Sequence, residues 1–172
     1  MRRVAIVACI AAVCGACVAK SGSDNTPERT LTTTASAERV RAIGARHIDG
    51  TRRAIDDLDR YCGGRTHIQP RTAALASRCN GALTNLSTRA RAFARALVFV
   101  RAPTDLEPLI ADTIDAAKPI LDIVRTYPRA KCVTPASPRE PTCDEAARDL
   151  GAVVNELDAA LDQWKTQLGV GK

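Results

Sequence analysis

Aromatic residues are scarce in this chain of 172 residues. Two Phe, two Tyr and one Trp make up 3% of it. That scarcity argues against single-strand nucleic-acid binding, which relies on aromatic platforms for base stacking. It also means that core volume has to come from Leu, Ile, Val and Ala, which suits helix-on-helix packing. Met1 is the only methionine, so a methionine haem ligand is excluded. The two histidines, His47 and His67, fall on different segments. His47 has no carboxylate three or four residues before it, so the Glu-x-x-His pattern of di-iron bundles is missing. No G-x-S-x-G, phosphate-binding loop, G-x-G-x-x-G or C-x-x-C-H is present. No segment alternates as a strand would, and no apolar run approaches the roughly 20 residues of a membrane span.

The longest apolar run, Val4–Val13, follows Arg2 and Arg3 and leads into Cys14-Gly15-Ala16-Cys17. A basic start, a short apolar stretch and small residues are the layout of an export signal. The cleavage region resembles that of bacterial lipoprotein precursors: Gly15 and Ala16 match the small residues before the cut, and Cys17 matches the cysteine that carries the lipid. Cys14 stands where that family prefers Leu. The resemblance implies a signal peptide at residues 1–16 and a lipidated Cys17. It also implies a membrane anchor, and Val18 resembles an outer-membrane address facing the periplasm. An ordinary signal cut after Ala19 fits the same residues and gives a periplasmic or secreted protein. Residues 17–35, rich in Ser and Thr with Pro27, read as a flexible tether.

The rest, residues 36–169, is the length of one domain. Four segments carry a helical apolar period. The first, from Ser36 to about Tyr61, places Val40, Ile43, Ile48, Thr51, Ile55 and Leu58 on one stripe and stops at Gly63-Gly64. The second, from about Pro70 to Arg101, carries Leu75, Cys79, Ala82, Leu86, Ala90, Phe93, Leu97 and Val100, with a weak point at Asn80-Gly81. The third, Thr104 to Tyr127, opens on a Thr104-x-x-Glu107 capping box. Its stripe is Ile110, Ile114, Ala117, Leu121 and Val124, and Pro119 inside it is expected to kink rather than break the helix. Residues 128–141 hold four prolines and read as an irregular loop. The fourth starts at a Thr142 cap and ends at Gly169, with Cys143, Ala147, Leu150, Val154, Leu157, Leu161, Trp164 and Leu168 on its stripe. The expected fold is all-α: an antiparallel, up-down-up-down four-helix bundle.

Seven cysteines are present. Three belong to the signal region, leaving Cys62, Cys79, Cys132 and Cys143. An even set in an exported domain predicts two disulfides. The absence of a close C-x-x-C pair argues against structural zinc. In an up-down bundle all four lie towards one end. Local pairing, Cys62 with Cys79 and Cys132 with Cys143, is the favoured pattern, with the other two connectivities open.

The formal charge is +6. Acidic residues appear interspersed with arginines, as on a solvated helix surface. Asp56, Asp57 and Asp59, and Asp112, Asp115 and Asp122, are the carboxylate groups that acid–base chemistry would use, and surface pairing with arginine is the plainer account. His67, in the loop beside Arg65 and Arg71, reads as a solvated histidine. His47 and Thr51 are the polar groups available to an alternative function, a bundle holding a small ligand or metal between helices. No catalytic residue, cofactor or metal is expected. The favoured reading is a non-enzymatic envelope protein that binds a macromolecular partner, either a protein or an anionic envelope component. Arg78, Arg89, Arg91 and Arg95 form its contact face.

Overall fold

A computed structural model describes residues 27–65, 68–127, 132–133 and 141–171, with side chains from Ser36 onward. The signal region and Cys17 lie outside the described residues, as do His67 and most of the proline loop. Within them the chain forms α1 (Pro27–Cys62), α2 (Ala73–Val98), α3 (Glu107–Thr126) and α4 (Pro141–Leu168), with no strand. Each helix packs on the next, and α4 closes the ring against α1. The fold is an up-down four-helix bundle with two disulfides, Cys62–Cys79 and Cys132–Cys143. Both disulfides sit at the end where α1 and α3 finish and α2 and α4 begin.

The apolar stripes become the core. On α4 every stripe residue from Cys143 to Trp164 is buried, and on α2 Cys79, Leu86, Ala90, Phe93 and Leu97 are. At roughly 25 cal/mol per Å² of apolar surface removed from water, this aliphatic interior is the main favourable term in the fold. Gly63 and Gly64 stop α1 with φ of 88° and 116°, a region open to glycine and costly for other residues. The loop that follows is held down at three places. Ile68 is fully buried, the Gln69 N–H donates to the Cys62 carbonyl at 2.7 Å, and Cys62 is bridged to Cys79.

Several boundaries differ from the sequence expectation. α1 begins at Pro27, inside the stretch read as tether and nine residues before Ser36. Pro27 suits a first turn because the N–H it lacks would have had no partner there. α2 starts after Thr72, whose Oγ1 accepts the Leu75 N–H at 3.2 Å, and runs unbroken through Asn80-Gly81. The Thr104 capping box does not form. Residues 104–106 make a turn, Leu106 is the cap residue, and it makes no side-chain cap hydrogen bond. Burial explains the change: the turn carries Leu106 into the core with only 6% of its surface exposed. α3 then continues through Pro119. Thr142 is the second residue of α4 rather than its cap, because Pro141 already opens the helix.

Candidate functional site

A layer of ring and hydroxyl groups crosses the bundle and draws one residue from each helix. The Trp164 indole Nε1–H donates to Thr113 Oγ1 at 2.8 Å, and that hydroxyl in turn donates to the Leu109 carbonyl at 2.7 Å. Phe93 packs tilted on Trp164 with ring centroids 5.3 Å apart, and His47 stacks on Phe93 at 5.5 Å. Gly44 admits the indole: a Cβ there would lie 2.6 Å from Trp164 Cε3. Buried Trp needs a partner for its N–H, and Thr113 supplies it from inside a helix whose apolar period left it out. The centre of the α3 face is therefore Leu109, Thr113, Ala116 and Ile120, while Ile114 and Leu121 lie at its edge, half-buried.

Both groups set aside for an interior ligand are already engaged. The Thr51 hydroxyl donates to its own helix at the His47 carbonyl, 2.9 Å away. The His47 ring lies flat on Phe93. Burial lowers the imidazole pKa below its ordinary value, and the charges of Arg46 and Arg89 lower it further. Among the described residues no three His, Cys, Asp or Glu side chains converge on a point that would hold a metal ion.

The carboxylates also divide between two settings. Asp112, Asp115 and Asp122 are exposed on α3, and Asp122 faces Arg125 at 3.5 Å. Asp59 belongs instead to a network that closes the α1–α4 seam. Arg65, in the loop after α1, donates from Nε to Asp59 at 2.9 Å and from Nη1 to Asp158 at 2.8 Å and Asn155 at 3.1 Å. Arg52 reaches Asp162 at 2.6 Å and Asp158 at 3.8 Å. Partial burial opposes the Arg65 charge, but its bonds to Asp158 and Asp59 outweigh that and raise its pKa. Exposed pairs of this kind contribute about 0–1 kcal/mol each. Their clearer effect is geometric, since they hold the α1–α2 loop against α4.

The four arginines of α2 do not share a face. Residues 89 and 91 are about 200° apart on a helix, at about 100° per residue. Arg78 and Arg89 lie on the α1 side. The Arg78 guanidinium sits 5.5 Å above the Tyr61 ring, and Arg89 covers Gly50 and contacts Asn85. Arg91 and Arg95 line the opposite flank, a groove of about 540 Å³ between α2 and α3 with Ala94, Val98, Phe99 and Leu121. Phe99 is 84% exposed and Val98 60%, the two exposed large hydrophobic side chains among the described residues. The charge around them is also less mixed than the composition suggested. From Arg60 to Thr104 the sequence holds eight arginines and no Asp or Glu. Sequence reasoning picked out Arg91 and Arg95 but missed Phe99, which falls outside the stripe.

Among known proteins, no family, no curated sequence and no solved structure matches the chain. Two disulfides fit an extracytoplasmic domain, because such bonds persist in oxidising compartments. Among the described residues no helix is long and apolar enough to cross a membrane.

Proposed function

We propose that the chain is a non-enzymatic cell-envelope lipoprotein whose helical bundle binds a macromolecular partner. The observation that carries the reading is the α2–α3 flank. There two exposed apolar side chains, Val98 and Phe99, stand beside Arg91 and Arg95 on a helix without a single acidic residue. Apolar side chains grouped on a surface and rimmed by charge mark interaction sites, and the sign of the charge selects an acidic or anionic partner. The export-signal layout and the lipobox-like Cys17 support an envelope address for that flank, with a lipid tether at Cys17. The reading of Val18 favours the outer membrane, facing the periplasm.

Two experiments test the proposal. Labelled fatty acid is expected at Cys17, and Cys17→Ser should abolish the label and release the protein. An unlipidated chain beginning at Lys20 would replace the anchor with simple export. For binding, the disulfide-intact protein is used to capture partners from its own envelope extract. Arg91→Glu with Arg95→Glu should remove the partner and leave the melting temperature nearly unchanged. Capture that survives the reversal refutes this flank as the contact surface.

A further inference from the structure

We infer that the α2–α3 flank docks on the surface of an anionic phospholipid bilayer, with Phe99 and Val98 inserted among the headgroups and Arg91 and Arg95 paired with phosphates. The inference rests on the binding reading above and names its partner.

Charge is the first argument. α2 itself carries four arginines and no acid, and no acid falls between Arg60 and Thr104. The exposed carboxylates of this flank, Asp112, Asp115 and Asp122, belong to α3, while the α1–α4 seam on the other side pairs its carboxylates with Arg52 and Arg65. A basic residue held near an anionic membrane strengthens binding by roughly fivefold. Arg91 and Arg95 are exposed, and among the described residues neither has a carboxylate within salt-bridge distance.

Shape is the second argument. A stable protein–protein interface buries about 800 Å² on each partner around an apolar centre. Here the large apolar side chains exposed among the described residues are two neighbours, Val98 and Phe99. At 84% exposure Phe99 protrudes rather than lining a depression. A lipid surface needs no complementary pocket, and it takes a shallow apolar wedge flanked by long basic side chains, whose heads stay at the interface.

Topology is the third argument. In an up-down bundle α1 starts at the end where α2 finishes. Phe99, the residue after α2, therefore lies towards the end of the bundle from which the chain before Pro27 departs. A lipid on Cys17 would hold that end nearest the membrane.

The test uses the chain from residue 17 with Cys17→Ser, so that no acyl chain contributes, and its co-flotation with vesicles of phosphatidylglycerol or of phosphatidylcholine. Binding to phosphatidylglycerol is expected to exceed binding to phosphatidylcholine at least about tenfold and to weaken with salt. Arg91→Glu with Arg95→Glu should lower it by roughly tenfold or more, and Phe99→Ser by several-fold. Reversal of Arg78 and Arg89 on the other flank should cost less. Circular dichroism confirms that each variant is folded. Equal binding to both lipids, or binding that ignores Arg91, Arg95 and Phe99, overturns the inference. Failure to bind vesicles, with Arg91-dependent capture of an acidic envelope protein retained, overturns the membrane partner and leaves the binding reading intact. Loss of both overturns the two together.

Discussion

The Trp164–Thr113 pair offers the sharpest check on the interior. Thr113→Val keeps the shape of the side chain and removes its hydroxyl. The indole N–H, fully buried and bonded at 2.8 Å, is then left with no acceptor. A stranded buried donor costs about 1–3 kcal/mol, and the added methyl offsets up to about 0.8 kcal/mol of that. Helix propensity does not separate Thr from Val, and the Leu109 carbonyl that the hydroxyl also served keeps its place in the α3 ladder. The expected net loss is about 1–2 kcal/mol. In a Trp164→Phe background no donor remains to be stranded, so the same substitution should cost nothing and stabilise by up to about 0.8 kcal/mol through the methyl. That term cancels in the double-mutant cycle, which returns the stranding cost, a coupling of about 1–3 kcal/mol, well above the few tenths expected of independent sites. Urea unfolding followed by far-ultraviolet circular dichroism, with both disulfides intact, measures all four corners. Trp164 is the only tryptophan, so its emission reports independently on the wild type and on Thr113→Val. If Thr113→Val costs the same in both backgrounds, the hydrogen bond is not what holds α3 to α4, and the argument fails.

Two glycine substitutions should move in opposite directions. Gly81→Ala meets nothing within 4 Å and should stabilise by about 0.5–1 kcal/mol through backbone entropy. Gly44→Ala forces a methyl against Trp164 and Val170 and should destabilise by about 1–3 kcal/mol; the same melts decide both. His47 is less easily protonated in the folded state than its ordinary pKa of 6.5. Its contribution is therefore complete above about pH 6.5 and is lost as pH falls through the lowered folded value. Between pH 7 and pH 5 the melting temperature should fall more for the wild type than for His47→Gln, and equal slopes would exclude His47 as the source. Replacing Cys62 and Cys79 with Ser opens a loop spanning 17 residues and should cost about 3 kcal/mol. Peptide mapping of the unreduced wild type should show Cys62 linked to Cys79.

The bundle was legible because its four segments keep a helical apolar period over many turns, and α4 was read almost residue by residue. The face of α3 was not, because Thr113 is polar. Its burial makes sense only opposite the Trp164 indole, a partner 51 residues away that periodicity within one segment cannot supply. The Thr104 capping box failed for a related reason. The local signal was sound, but burying Leu106 outweighed a cap bond of about 1 kcal/mol. Reading the arginines of α2 as one face was an error the sequence itself could have corrected, since positions 89 and 91 point in nearly opposite directions on any helix. The run without acid from Arg60 to Thr104 was visible too, but whole-chain counts concealed it. Phe99 was legible by the same rule. It lies off the stripe that ends in Leu97 and Val100, in a segment expected to be helical to about Arg101, and that position alone turns its ring away from the core.

Position in the bundle separates what stabilises the protein from what we propose it uses to bind. The disulfides, Ile68 and the Arg65 network act at one end and along the α1–α4 seam. The Trp164 layer fills the interior. Among the described residues the α2–α3 flank carries none of these devices. Phe99 leaves most of its ring in water, so changing it removes little buried area and should cost little stability. An exposed aromatic that contributes so little to folding has no structural reason to be there, and single exposed hydrophobic residues are common enough to need none. The combination is what supports the proposed binding role. Phe99 and Val98 adjoin, and Arg91 and Arg95 stand beside them with no acidic partner among the described residues. Among the described residues every other large apolar side chain is buried or half-buried. Burial of that apolar pair together with neutralisation of the arginine charge is what the proposed anionic bilayer would supply.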